Sequence, residues 1–171
     1  DLLGQSEYDV LVDPRAASKI TQGITTEITG EGQSIAPADE RQIAEGDDIW
    51  KRYGVRPDWT DLEGYFRALQ RARPAINLGT MVGAGGIRDL VVGKENRPAT
   101  APELVEMETL VDTAMRQGAF GLSTSLQYVP GRYASTAEIV ALAKVAAKHG
   151  GVYFTHQRSE QREIDASMDE V

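Results

Sequence analysis

A chain of 171 residues can build one domain with a substantial core and is short for two. Its 18 Lys and Arg against 26 Asp and Glu give a net charge of -8, which argues against nucleic acid or an anionic membrane as partner, since little would neutralise phosphates. The absence of cysteine excludes a disulfide framework, a thiolate metal site and thiol catalysis. No apolar run approaches the roughly 20 residues of a membrane span, and no basic-then-apolar leader precedes Asp1-Leu2-Leu3, an abrupt opening that reads as cut from a longer sequence.

In chain order, Asp13 is predicted to cap a helix with Pro14 at its first position and Gly23 past its end. A strand over Ile24 to Thr29 follows, then a long surface loop from Ala38 to Trp59, rich in Asp, Glu, Gly and Pro. Thr60 with Glu63 has the spacing of a capping box for a helix that stops before Pro74, ahead of a strand over Ala75 to Val82. Thr100 with Glu103 opens a helix closing at Gly118, and a strand runs from Ala119 to Thr124. Ser135 with Glu138 opens a helix ending at Gly150, before a strand from Val152 to His156. Helices alternating with short, continuously apolar strands predict an α/β fold with a parallel sheet. Spacing does not separate an open doubly wound sheet from a (β/α)8 barrel, of which four or five units are about half.

Polar residues collect where strands end. His156 closes an apolar strand and is followed by Gln157 and Arg158, while Gly30-Glu31-Gly32 directly follows the first strand. In parallel α/β folds these ends share one mouth, so an imidazole and a glycine-flanked carboxylate there can bind metal or act as a base. The plainer readings are a core histidine and a solvated turn glutamate. Arg158 can bind a substrate carboxylate or pair with Glu160 or Glu163. Ser123, Thr124, Ser125 and Tyr128 can offer hydroxyls to a polar substrate or serve as ordinary turn residues. Val82-Gly83-Ala84-Gly85-Gly86 suggests a phosphate loop, but Arg88 stands where a third glycine would be and no Gly-Lys-Ser/Thr follows. A freestanding doubly wound nucleotide-binding or regulatory domain remains an alternative on that segment.

Several segments, in order, resemble the D-aminoacylase (N-acyl-D-amino-acid deacylase) branch of the metal-dependent amidohydrolase superfamily. They are Asp13-Pro-Arg-Ala-Ala-Ser-Lys19, Gln22-Gly-Ile-Thr-Thr-Glu-Ile-Thr-Gly-Glu31-Gly, Gly118-Ala-Phe-Gly-Leu-Ser-Thr124, Tyr133-Ala-Ser-Thr136 and Gly150-Gly-Val-Tyr-Phe-Thr-His156-Gln-Arg-Ser-Glu160. The resemblance implies a single catalytic-barrel fragment, truncated at both ends, of a bacterial zinc hydrolase that cleaves N-acylated D-amino acids. It implies His156 and Glu31 as metal ligands, Glu31 standing where most members have Asn-Cys, and Tyr128, Arg158 and Ser123 as substrate-binding residues. A divalent metal, zinc foremost, a small N-acyl amino acid substrate and self-association are implied as partners. The departures are Leu3 and Gln5 at a His-x-His pair and Ala84 at a glycine-flanked histidine; a further histidine and the general-base aspartate are expected beyond Val171. Those departures motivate a rival: a non-catalytic binding protein that kept the barrel while its ligands drifted.

Overall fold

The computed structural model describes residues 1–171 as parallel strands alternating with helices. The chain first makes two single-turn helices, α1 (Asp9–Val12) and α2 (Ala17–Ile20), where one helix capped by Asp13 was expected. Asp13 instead ends α1, and its carboxylate binds the Arg15 guanidinium at 2.8 and 2.7 Å; Ala16 then adopts a left-handed conformation that breaks the helical path. Strand β1 (Thr26–Thr29) is shorter than predicted. The expected loop 38–59 contains α3 (Glu40–Glu45) and α4 (Asp47–Tyr53). Asp39 and Gln42 form a capping box at the start of α3, and Gly54 takes the left-handed position after α4.

Helix α5 (Leu62–Ala72) is capped by Asp61, whose side chain accepts from the Gly64 amide, rather than by Thr60. The predicted strand 75–82 divides at Met81 into β2 (Asn77–Thr80) and β3 (Val82–Gly83). Helix α6 (Ala84–Val91) begins immediately after β3, and α7 (Ala101–Arg116) carries the expected Thr100/Glu103 box. Strand β4 (Gly121–Ser125), helix α8 (Thr136–Lys148), strand β5 (Val152–His156) and α9 (Ile164–Glu170) complete the chain. Ser135 caps α8 as predicted, but Glu138 turns into the core instead of back to the cap.

β1 pairs with β2, and β3, β4 and β5 pair in that order, all parallel. The Phe120 amide donates to the Thr80 carbonyl at 2.9 Å and the Met81 amide to Thr29 at 2.8 Å, joining the two ladders across the break. The first residues add to the outer side of β1: Ile28 donates to Asp1, and Gly4 to Ile28, at 2.9 Å each. Leu62, Tyr65, Met107, Val111, Leu122 and Leu142, all buried, fill the space between the strands and helices. Arg88 is fully buried within this layer, bonded through Nη1 to both Glu138 carboxylate oxygens at 2.8 and 2.6 Å. Pairing and hydrogen bonding make this charge tolerable away from water. No helix is long and apolar enough to cross a membrane.

Candidate metal centre

The register of β4 and β5 sets Ser125 beside His156, so the imidazole emerges at the strands' carboxyl ends. Glu31 reaches the same end from β1, and its Oε1 lies 2.8 Å from His156 Nδ1. These two residues, 125 positions apart, are brought together as their types suggested. Both side chains are largely sequestered, at 23% and 13% exposure. They line an open cavity of about 580 Å³ with Gln5, Gln33, Ser125 and Tyr128.

The fold pins the backbone on both sides of Glu31. The Gly30 amide donates to Glu7 Oε1 at 3.0 Å, and the Gly30 carbonyl accepts from the Ser123 hydroxyl. The Gly32 amide donates to Ser123 Oγ at 3.0 Å, and the Gly32 carbonyl accepts from the Gly85 amide at 2.8 Å. Gly30 and Gly32 both have positive φ, at 91° and 65°, which a side chain would strain. At Gly30 a Cβ would also fall 2.6 Å from the Met81 carbonyl oxygen. A carboxylate between glycines is thus held in a sharp turn by four hydrogen bonds to the flanking backbone, three with side chains and one with the Gly85 amide.

Ser123, expected from the resemblance to bind substrate, lies beneath this turn. Its side chain is fully buried and spends its hydroxyl on Gly30 and Gly32, so it supports Glu31 from beneath. Arg158, expected in the same role, is also engaged within the fold. Its guanidinium binds Glu170 bidentately at 2.9 and 2.8 Å and donates to the Arg132 and Ala134 carbonyls, so the edge that would take a substrate carboxylate is filled. Its expected partners Glu160 and Glu163 are replaced by Glu170, whose carboxyl is held below its ordinary range by that bond, while the guanidinium is pushed up. Tyr128 does face the site: its ring stands edge-on to His156 with centroids 5.6 Å apart, and it is 60% exposed. The phosphate-loop reading fails because the Gly85 and Gly86 amides donate to the Gly32 carbonyl and Arg88 is locked to Glu138.

The residues fit a metal ion in type and spacing. Imidazole and carboxylate are zinc donors, and their 2.8 Å separation is within about half an ångström of the ~3.3 Å between two ligands bound at ~2.0 Å in a tetrahedron. His156 Nε2 is buried without a hydrogen-bond partner, which marks the ring as incompletely satisfied. No group of three or more His, Cys, Asp or Glu side chains converges here. Leu3 is 43% exposed, Ala84 is buried at the start of α6, and neither offers a donor. Gln5 donates from Nε2 to Glu31 Oε2 at 3.3 Å.

Glu7 was not singled out from the sequence, and Glu160 was expected only as a partner of Arg158. Glu7 supports Gly30, and burial raises its carboxyl above the usual range; the neighbouring Tyr8 and Tyr65 hydroxyls are raised by the same cause. Glu160 Oε1 lies 3.4 Å from His156 Nε2, and its position four residues after the histidine was the only local signal.

No family model matches the chain. It is 35% identical over 169 residues to an N-acyl-D-aspartate deacylase of Alcaligenes xylosoxydans xylosoxydans, covering 95% of the chain and 33% of that protein. An N-acyl-D-glutamate deacylase of the same organism is 34% identical over 172 residues, covering 100% of the chain and 35% of the relative. Among solved structures, the N-acyl-D-glutamate deacylase of Bordetella bronchiseptica, complexed with zinc and a phosphonate mimic of the tetrahedral intermediate, superposes with a TM-score of 0.87 at 33% identity, over 99% of this chain and 36% of that one. A D-aminoacylase studied for its binuclear metal centre gives 0.85 at 34% identity, over 97% and 35%. The chain spans about a third of the length of the relatives it matches. Over essentially all of its length, this chain is a homologue of the D-aminoacylase branch of the amidohydrolases.

Proposed function

We propose that the protein containing this chain is a metal-dependent hydrolase that cleaves the amide bond of N-acyl-D-amino acids or related small amides. Residues 1–171 form part of a (β/α)8 barrel and contribute Glu31 and His156 to the metal. The observation that carries this reading is the 2.8 Å approach of Glu31 and His156 at one end of a parallel sheet, in a chain homologous to deacylases from end to end. The metal is divalent, with zinc foremost because the donors are imidazole and carboxylate; the carboxylate also suits harder ions. Bound there, it supplies an activated water and polarises the scissile carbonyl.

The chain's own residues do the positioning. Ser123, Glu7 and Gly85 fix the turn that aims Glu31, and Gln5 holds its second oxygen. Tyr128 shields one side of His156 and presents a hydroxyl at the cavity rim for a substrate carbonyl or carboxylate. The remaining ligand and the aspartate that returns the proton to the leaving amine come, on this reading, from chain outside residues 1–171.

Assay of the full-length protein for release of free D-amino acids from N-acetyl-D-aspartate, N-acetyl-D-glutamate and neutral N-acetyl-D-amino acids tests the proposal. Turnover is expected that a chelator abolishes, zinc restores and His156→Ala removes. The substituted positions Leu3, Gln5 and Ala84 favour the rival of a binding protein without catalysis. Tight zinc binding with no product from any of these amides would support that rival against the proposal.

A further inference from the structure

The two nitrogens of His156 have different surroundings. Nδ1 lies against Glu31, whereas Nε2 is shielded from solvent, makes no hydrogen bond and faces Glu160 Oε1 at 3.4 Å. A buried ring nitrogen without a partner is costly, and the Glu160 carboxylate, on a side chain 58% exposed, is within 3.4 Å of it. We propose that Glu160 is a positioning residue for His156, its carboxylate accepting the Nε2 proton and so presenting Nδ1 as the lone-pair nitrogen on the side of Glu31. This rests on the metal-binding reading above.

The chemistry follows from proton counting. A neutral imidazole carries one proton. Placed on Nε2 towards Glu160, it leaves the Nδ1 lone pair and the Glu31 carboxylate facing each other at 2.8 Å, a repulsive contact unless a cation stands between them. Two carboxylates on opposite sides of the ring therefore divide the work, one fixing the tautomer and the other sharing the cation. The irregular segment after β5 carries Glu160 to within 3.4 Å of Nε2. Arg158, between His156 and Glu160, ties that segment to Glu170 and to the Arg132 and Ala134 carbonyls.

The test uses the full-length protein with Glu160→Ala and Glu160→Gln. Zinc affinity is read by chelator competition, the His156 tautomer by ¹⁵N NMR of the zinc-loaded form, and thermal stability without metal. Glu160→Ala is expected to bind zinc about 10- to 100-fold more weakly. Glu160→Gln, whose amide oxygen can accept the same proton, should keep most of the affinity, and metal-free melting should not change in either. The proposal is overturned if Glu160→Ala binds zinc like the wild type, if both variants lose affinity and metal-free stability alike, or if the Nε2 of zinc-loaded His156 carries no proton. Loss of zinc in His156→Ala with no change in Glu160→Ala would sink this proposal alone; absence of zinc binding by the wild type would sink the metal reading with it.

Discussion

Substituting Gly83 tests whether close backbone packing holds the turn that carries Glu31 in place. Gly83 has φ -84° and ψ 117°, which alanine adopts freely, so any effect of Gly83→Ala is steric rather than conformational. The added Cβ would lie 2.6 Å from the Gly32 carbonyl carbon and oxygen and 2.7 Å from Gln33 Cα. Ordinary carbon contacts are about 3.5–4.0 Å, so backbone must yield by about 1 Å. Overpacking of that kind costs about 1–3 kcal/mol. The atoms displaced belong to the residues following Glu31, and a similar shift of its carboxylate would break the 2.8 Å contact with His156. Gly86→Ala, three residues on in α6, is the control: its Cβ would meet nothing closer than 3.9 Å, and alanine gains up to about 1 kcal/mol over glycine within a helix. Urea unfolding and zinc competition of the full-length variants should show Gly83→Ala less stable and weaker for zinc, with Gly86→Ala at least as stable as wild type. Equal stability and equal zinc affinity in Gly83→Ala would refute the steric argument.

Ser123→Ala leaves the Gly30 carbonyl and Gly32 amide without their buried partner; a loss of about 1–3 kcal/mol in urea unfolding is expected, together with weaker zinc binding. Burial raises the Glu7 carboxyl, so between its unfolded and folded values the native state holds a proton that the unfolded state has lost, and stability falls as pH rises through that window. Glu7→Gln can still accept from Gly30 and should flatten this slope, gaining on the wild type above the folded pKa; parallel pH–stability curves would contradict it. With the Gln5 amide on Glu31 Oε2 and no donor side chain at Leu3, metal analysis after dialysis against excess zinc should find one zinc per chain. Two tightly held ions would show that these side chains do not close a second site.

Much of the fold could be read locally because capping chemistry is local. Thr100 with Glu103 placed α7, and the same logic missed by one residue at α5, where Asp61 offers a better-placed oxygen than Thr60. The helices at 40–53 went unread although Asp39 and Gln42 have box spacing, because the acidic, glycine-bearing composition resembles a loop. Asp13 failed as a cap because Arg15, two residues on, takes its carboxylate. In the candidate site, residue types singled out Glu31 and His156 as candidates, but their contact depends on strand order across 125 positions. Ser123 and Arg158 carry groups suited to substrate, and the partners those groups take here, Gly30 and Gly32 in one case and Glu170 in the other, are set by packing between distant segments.

The central claim is that Glu31 and His156 share a metal ion. Anomalous diffraction at the zinc edge from crystals of the zinc-loaded full-length protein tests it most directly. The account predicts a single strong peak bonded to Glu31 Oε1 and His156 Nδ1, absent in crystals of His156→Ala. A zinc peak that touches neither residue, or none at all after loading, would contradict it.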